Sequence, residues 1–513
     1  MRRIRTGVAA LLAMMLIVLA GCQSVGGVDI AQVVKQSLNV KSVESKETLT
    51  LKLNVNKEAK LNQEDEEMIA LLNGLQIDLH TMKESNEKMS AKGELKLKDK
   101  TLPFHITVDT KNIALDVKGA KEALVIPITE VDPSMAELTP DVKELEAFQQ
   151  ALVQWFTKNA PNPKTINVTS GMENVFGESK YLDRIHLEFG ADETLGWIQG
   201  FVKAVLADEE GTKAFLEEVG KLYGPIVSGL MEQDGMESME GMDMFKDGEL
   251  FAAYAFKWLK DNGETMLNEL TTSWEQAVKD SPELAQVLSD KTKLKLDLYS
   301  DSAKNIHKSV MELNIQLPTA EDMPVTSISV QTTSELKNHN NTVKVEPIDI
   351  SKAVNVVEQE MTPGEWLRFF EDGSLAKDML LQSGITNKFV YLPIAQDEYD
   401  EWLNDSPLPY VDKGVTMVPL RYVAEELDAE VKWDSKQKQV TMIDDLTGSK
   451  IVLKLGSNIA LVDNVEKKIS GTPVMSKEGN VYVPLRSVSE LLGAKVQYEG
   501  DAVYGSYVTI ERS

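Results

Sequence analysis

Val418-Pro419-Leu420-Arg421-Tyr422-Val423-Ala424-Glu425-Glu426-Leu427-Asp428-Ala429-Glu430-Val431-Lys432-Trp433 returns further along the chain as Val483-Pro484-Leu485-Arg486-Ser487-Val488-Ser489-Glu490-Leu491-Leu492-Gly493-Ala494-Lys495-Val496-Gln497-Tyr498. A duplication of this length marks two copies of one supersecondary unit, each burying its apolar face against its twin. In each copy the proline stands where a strand gives way to a helix, a place that tolerates its missing N–H and suits its fixed φ. Leu420, Val423, Ala424 and Leu427 then follow helical spacing, as do Leu485, Val488, Leu491 and Leu492. Gly493 closes the second helix as a left-handed cap, and Asp428 takes the same place in the first. Val431 and Trp433 alternate into a strand, residues 434–437 turn, and Val440 and Met442 return. Each copy is thus a helix followed by a hairpin.

The doubled motif resembles the copper amine oxidase N-terminal-like domain, also called the stalk domain, over residues 406–513. The family's usual glycine is replaced by Asp428 in the first copy. The resemblance implies a small α+β module with a central hairpin at Ile451–Leu455 and Ile459–Val462, remote from any copper or quinone. The structural repeat rests on Pro419, Arg421 and Trp433 and on their counterparts Pro484, Arg486 and Tyr498. Arg421 and Arg486 sit in the first turns of their helices, where the macrodipole disfavours a cation. Glu425 and Glu490 stand four residues on, in the weaker order for such a pair. The preferred partner is therefore a carboxylate or backbone carbonyl of the sister repeat.

Outward from the repeat, residues 351–405 read as a helical linker, with a helix opening at Thr362-Pro363-Gly364-Glu365 under a capping box. Residues 29–350 read as an antiparallel-sheet domain. Alternating runs occur at Thr48–Val55, Leu75–Leu79, Gly93–Leu97, Ile106–Val108, Leu294–Leu298, Val310–Ile315 and Ile328–Gln331, then Val343–Val345. Between the two sets, at about 140–290, helical spacing links Leu145, Phe148, Leu152 and Trp155, then Leu195, Ile198, Val202 and Val205. Tyr254, Trp258, Trp274 and Val278 continue it. Such aromatics need an apolar surface, and the dry face of the sheet offers one. The fold class expected is α+β: an N-terminal antiparallel sheet with an inserted helical region, plus a small duplicated C-terminal domain.

At the other end, Arg2, Arg3 and Arg5, the apolar run Val8–Leu19 and the lipobox Leu19-Ala20-Gly21-Cys22 read as a lipoprotein signal peptide over 1–21, with 22–28 as a tether. Cys22 is the only cysteine in 513 residues, which removes disulfides and cysteine metal sites from the options. Its expected role is lipidation, anchoring the chain as a palmitate-type lipoprotein on the extracytoplasmic face of a cell membrane; the resemblance to the stalk domain implies a Gram-positive setting. The formal charge is -27. So acidic a chain repels nucleic acid and anionic headgroups.

Chemistry leaves little trace. The three copper histidines and the cofactor-tyrosine motif of the oxidases are missing, and His80, His105, His186, His307 and His339 are scattered singly. No HExxH, P-loop, GxSxG or CxxC occurs. Ser85 and Lys88 make an isolated SxxK. Met231, Met236, Met239, Met242 and Met244 crowd an acidic stretch; thioethers suit Cu(I), although methionines equally fill irregular apolar gaps. No cofactor is expected. The function expected is that of a non-enzymatic surface lipoprotein that binds an envelope ligand, cell wall or protein partner. The sheet's outline also resembles lipid-carrier half barrels, which implies an apolar ligand, and an envelope enzyme without a local motif is the remaining alternative.

Overall fold

The computed structural model describes residues 25–128, 142–233, 247–319, 323–359, 361–385, 387–393, 409–477, 479–501 and 505–512. Cys22 and Met236, Met239, Met242 and Met244 lie outside them. The described residues form helices and antiparallel sheets, an α+β fold. The chain divides into two compact units, one of residues 1–116 and 125–350, the other of 117–124 and 351–513. No helix among the described residues is long and apolar enough to cross a membrane.

The first unit is built on strands β1 (Val43–Val55), β2 (Gln76–Ser85), β3 (Lys88–Leu97), β4 (Lys100–Val108), β5 (Asn112–Val117), β6 (Leu124–Pro127), β7 (Thr165–Val175), β8 (Glu178–Gly190), β9 (Lys293–Ser300), β10 (Ile306–Gln316) and β11 (Val325–Lys337). They follow the order β6-β5-β4-β3-β2-β1-β11-β10-β9-β8-β7. The two sets of alternating runs therefore share one sheet, joined where β1 pairs with β11.

Register sorts the faces. One cross-strand row runs Leu102, Leu95, Ile77, Leu49, Thr332, Met311, Leu296, Leu187 and Ile166, apolar but for one threonine. A row of opposite parity runs His105, Lys92, His80, Lys46, Glu335, Lys308, Tyr299, Arg184 and Thr169. Period-two alternation on every strand, held in register, makes one dry face and one wet face. In the row beside the first, Phe104 lies across Gly93, where a Cβ would come within 2.4 Å of its ring. Gly93→Ala forces ring or strand to move and should lower stability by about 1–3 kcal/mol, read from the denaturant midpoint.

Helices cover the dry face over β8 to β10. Ile30 and Val33 of α1 (Ile30–Leu38) pack on Ile185, Leu187, Leu296 and Leu298. The helical region is not continuous: the β7–β8 hairpin interrupts it. Before the hairpin comes α3 (Val142–Asn159), α2 (Gln63–Leu72) having followed β1. After it come α4 (Thr194–Ala207), α5 (Glu209–Gln233), α6 (Gly248–Asp280) and α7 (Pro282–Val287). Trp155 stacks on Phe215 at 4.3 Å and Trp197 on Phe201 at 5.3 Å, and Phe156, Trp197 and Phe189 join one core. The expectation that every helix aromatic meets the sheet fails for Tyr254 and Trp258, which stay exposed.

Val343–Val345 is not a strand. N–H groups at its end go to side chains instead, Val345 to Glu84 at 3.3 Å and the next residue, Glu346, to Ser90 at 3.1 Å. Alternation gave the segment a strand's pattern, but its amides found other acceptors.

In the second unit Thr362 caps the helix Pro363–Phe369, its hydroxyl accepting from the Glu365 N–H at 3.2 Å while the Thr362 N–H donates to the Glu365 carboxylate at 2.8 Å. The strands Val415–Pro419 and Val481–Pro484 of the two repeats pair antiparallel, Val418 opposite Val483, which sets the copies about a local twofold. The first helix, Leu420–Glu426, leads to the hairpin Ala429–Asp434 and Gln439–Asp444; the second, Leu485–Leu491, leads to Lys495–Asp501 and Gly505–Arg512. Each hairpin has a third strand. In the first repeat it is Lys450–Lys454, with Leu453 and Ile451 opposite Val440 and Met442. In the second it is Lys388–Pro393, with Leu392 and Val390 opposite Val508 and Ile510. That strand comes from the segment read as a helical linker, so the linker is part of the module. All eight of these apolar residues belong to one buried cluster.

Candidate binding groove in the first repeat

Pro419 and Pro484 stand at the cap positions of their helices, one place before the first turn, with φ of -61° and -62° and extended ψ. Each closes a strand and opens a helix, so the strand end and the helix start are fixed by one residue. Asp428 and Gly493 adopt left-handed backbone at φ 58° and 75°.

The sister-repeat partner expected for Arg421 and Arg486 is absent. Arg421 donates to its own helix neighbour Glu425 at 2.9 Å, both side chains being exposed. Arg486 lies over the Tyr498 ring, 5.4 Å from its centroid. Both arginines are exposed, where contacts within their own repeat suffice. The tie between the copies is made by Arg512 instead. Arg512 and Asp444 occupy matching places in the two hairpins, one cationic and one anionic, and pair across the twofold at 2.6 Å with 3% of each side chain exposed. Arg512 also donates to the carbonyl of Leu427.

Around this pair the first repeat collects further buried charge. Lys388 reaches Asp428 at 3.3 Å, and Arg368 reaches Asp445. Burial pushes the carboxyls of both Asp428 and Asp445 above the ordinary range, against the pull of those cations. For a raised folded pKa the sign is that stability falls as pH rises through the folded value, and no difference remains below the unfolded one. Lys388 keeps a fifth of its side chain exposed and so stays hydrated without its partner. Asp428→Asn, which also suits left-handed backbone, should therefore stabilise the chain at neutral pH and lose that advantage below about pH 4, followed by melting temperature against pH.

The histidines sit mostly on the wet face with carboxylate partners: His80 with Glu44 at 3.0 Å, His186 with Asp297 at 2.7 Å and His307 with Asp301 at 2.9 Å. Tertiary pairing brings two of the scattered five together, the rings of His307 and His339 meeting edge to face at 4.8 Å. Ser85 and Lys88 flank the β2–β3 turn, with Lys88 paired to Glu84 at 3.3 Å. No group of three or more His, Cys, Asp or Glu placed to hold a metal occurs among the described residues.

A groove of about 430 Å³ opens in the first repeat. Its floor is the surface end of the core at Leu420, Val431 and Val440, and Trp433 and Tyr422 stand beside it, 38% and 40% exposed. Arg421, Glu425 and Asn480 supply polar atoms. Burial, then the nearby Glu426, holds the Tyr422 phenol above its usual pKa, so it remains a donor. The second repeat has Ser487 and Tyr498 in the places of Tyr422 and Trp433. Tyr498 donates to Thr416 at 3.1 Å and carries Arg486 on its ring. In the first repeat the place of Thr416 is taken by Val481, which offers Trp433 no acceptor, and Arg421 has turned to Glu425. Part of this difference lies in the motif itself, where Tyr422 stands against Ser487 and Trp433 against Tyr498, and part comes from Thr416 and Val481 outside the repeated stretch.

Comparison with curated proteins gives no match to the chain. Residues 402–504 match the family model of the copper amine oxidase N-terminal domain, which is not the catalytic domain of those oxidases, consistent with the resemblance carried by the doubled motif.

Proposed function

We propose that the chain is a non-enzymatic lipoprotein, held at the outer face of a cell membrane through Cys22, that binds an envelope ligand in the groove of its first repeat. The observation that carries the reading is the asymmetry of the repeats: in the second copy Tyr498 is engaged by Thr416 at its hydroxyl and by Arg486 at its ring, whereas in the first Trp433 and Tyr422 line a groove with an apolar floor. A concave site with few convergent polar groups is the usual form of a ligand site. The lipobox supports the anchor. Cys22→Ala should move the protein from membrane to soluble fractions. Purified protein should sediment with cell envelopes, and Trp433→Ala should release it; sedimentation indifferent to Trp433 would remove the groove from the function.

A second reading concerns the first unit. Its dry face is buried at Leu187 and Leu296 but only half-buried at Leu49, Ile77 and Leu95, where β1 to β3 continue the same row. That open stretch favours an apolar ligand. An organic extract of the purified chain should then contain a lipid in stoichiometric amount by mass spectrometry, and its absence would count against a carrier.

A further inference from the structure

The groove's own atoms narrow the chemistry of what it holds. We propose that it takes the rings of a neutral glycan, an inference that rests on the groove being a binding site. A pyranose presents apolar C–H faces and a rim of hydroxyls, each both donor and acceptor. Trp433 and Tyr422 offer ring faces with a polar tip, surfaces that are apolar on one side and wet on the other. Arg421 supplies only donors, Glu425 only acceptors and Asn480 both, and together they match vicinal hydroxyls. A purely apolar occupant would leave these groups unpaired, which is costly once water is excluded. The Arg421–Glu425 contact at 2.9 Å joins two exposed side chains and is worth little, so hydroxyls can share in it.

Charge points the same way. Residues 409–512 carry thirteen Lys and Arg against fifteen Asp and Glu, whereas the whole chain stands at -27. The module is close to neutral, and the one arginine of the groove is already matched by Glu425. Among the described lining residues a polyanion would meet no cation besides Arg421, and a polycation no carboxylate besides Glu425. A volume of about 430 Å³ lies within the range of small-ligand sites and has room for a short run of rings.

The test is calorimetric titration of the purified full chain with neutral oligosaccharides of glucose and of N-acetylglucosamine. Saturable binding is expected, weakened about ten-fold or more by Trp433→Ala and by Tyr422→Ala, partly kept by Trp433→Phe, and unchanged by Arg486→Ala. Two groove variants guard against one that fails to fold. No saturation with any neutral oligosaccharide, or binding indifferent to both aromatics, overturns the proposal. Envelopes digested with protease separate the two levels. If Trp433-dependent sedimentation vanishes on digestion, the ligand is a protein and the glycan falls while the groove stands; if sedimentation never depends on Trp433, both fall.

Discussion

Arg512→Met is expected to lower the stability of the second unit by about 3–5 kcal/mol, the range for breaking a buried ion pair by removing one partner. Asp444 would keep its loop contacts, accepting from the Leu446 N–H at 3.0 Å and the Thr447 hydroxyl at 2.7 Å. It would nevertheless remain a buried charge near Asp428 and Asp445, whose carboxyls are already disfavoured by burial. The Leu427 carbonyl would lose its donor as well. Adding Asp444→Asn should recover part of the loss, because the uncompensated charge goes with it. Arg486→Met, by contrast, removes a single contact over an exposed ring and should change stability by under about 1 kcal/mol. Urea unfolding of the three variants checks this, and equal losses for Arg512→Met and Arg486→Met would show that the repeats are not tied as the ion pair indicates.

Leu392→Ala should cost about 2–5 kcal/mol although Leu392 lies before the family match begins at residue 402. It is buried in the same cluster as Leu420, Leu453 and Leu485, and it stands opposite Val508 as Leu453 stands opposite Val440. A chain begun at residue 402 would lack this strand and leave Val508 and Ile510 with one open flank. It should unfold at lower urea than the module within the full chain, measured by tryptophan fluorescence. Equal midpoints would mean that Lys388–Pro393 only decorates the sheet.

The strand at Lys388–Pro393 shows how legibility failed. Val390 and Leu392 are buried while Phe389 and Tyr391 are exposed, an alternation plain in the sequence. Its partner, however, is the last strand of the chain, more than a hundred residues away, and pairing at that separation leaves no local signal. The pairings of His80 with Glu44 and His186 with Asp297, and the meeting of His307 with His339, likewise depend on partners distant in sequence. Most local signals held, Val343–Val345 excepted: the Thr362 capping box, the left-handed Asp428 and the two sheet halves with their dry and wet parities all follow from neighbours within a few residues.

The sequence by itself determined the duplicated helix-and-hairpin units, the proline that starts each helix, and the alternation that gives the large sheet two faces, because period and turn chemistry are properties of short stretches. Only the tertiary structure decided which arginine ties the repeats and which repeat keeps a groove. Those outcomes depend on what stands across the twofold: Asp444 facing Arg512, Thr416 reaching Tyr498 and Val481 leaving Trp433 without a hydrogen-bond partner at that place. Two copies of one motif thus differ in use because their surroundings, together with the exchanges Tyr422 for Ser487 and Trp433 for Tyr498, set which side chains are engaged.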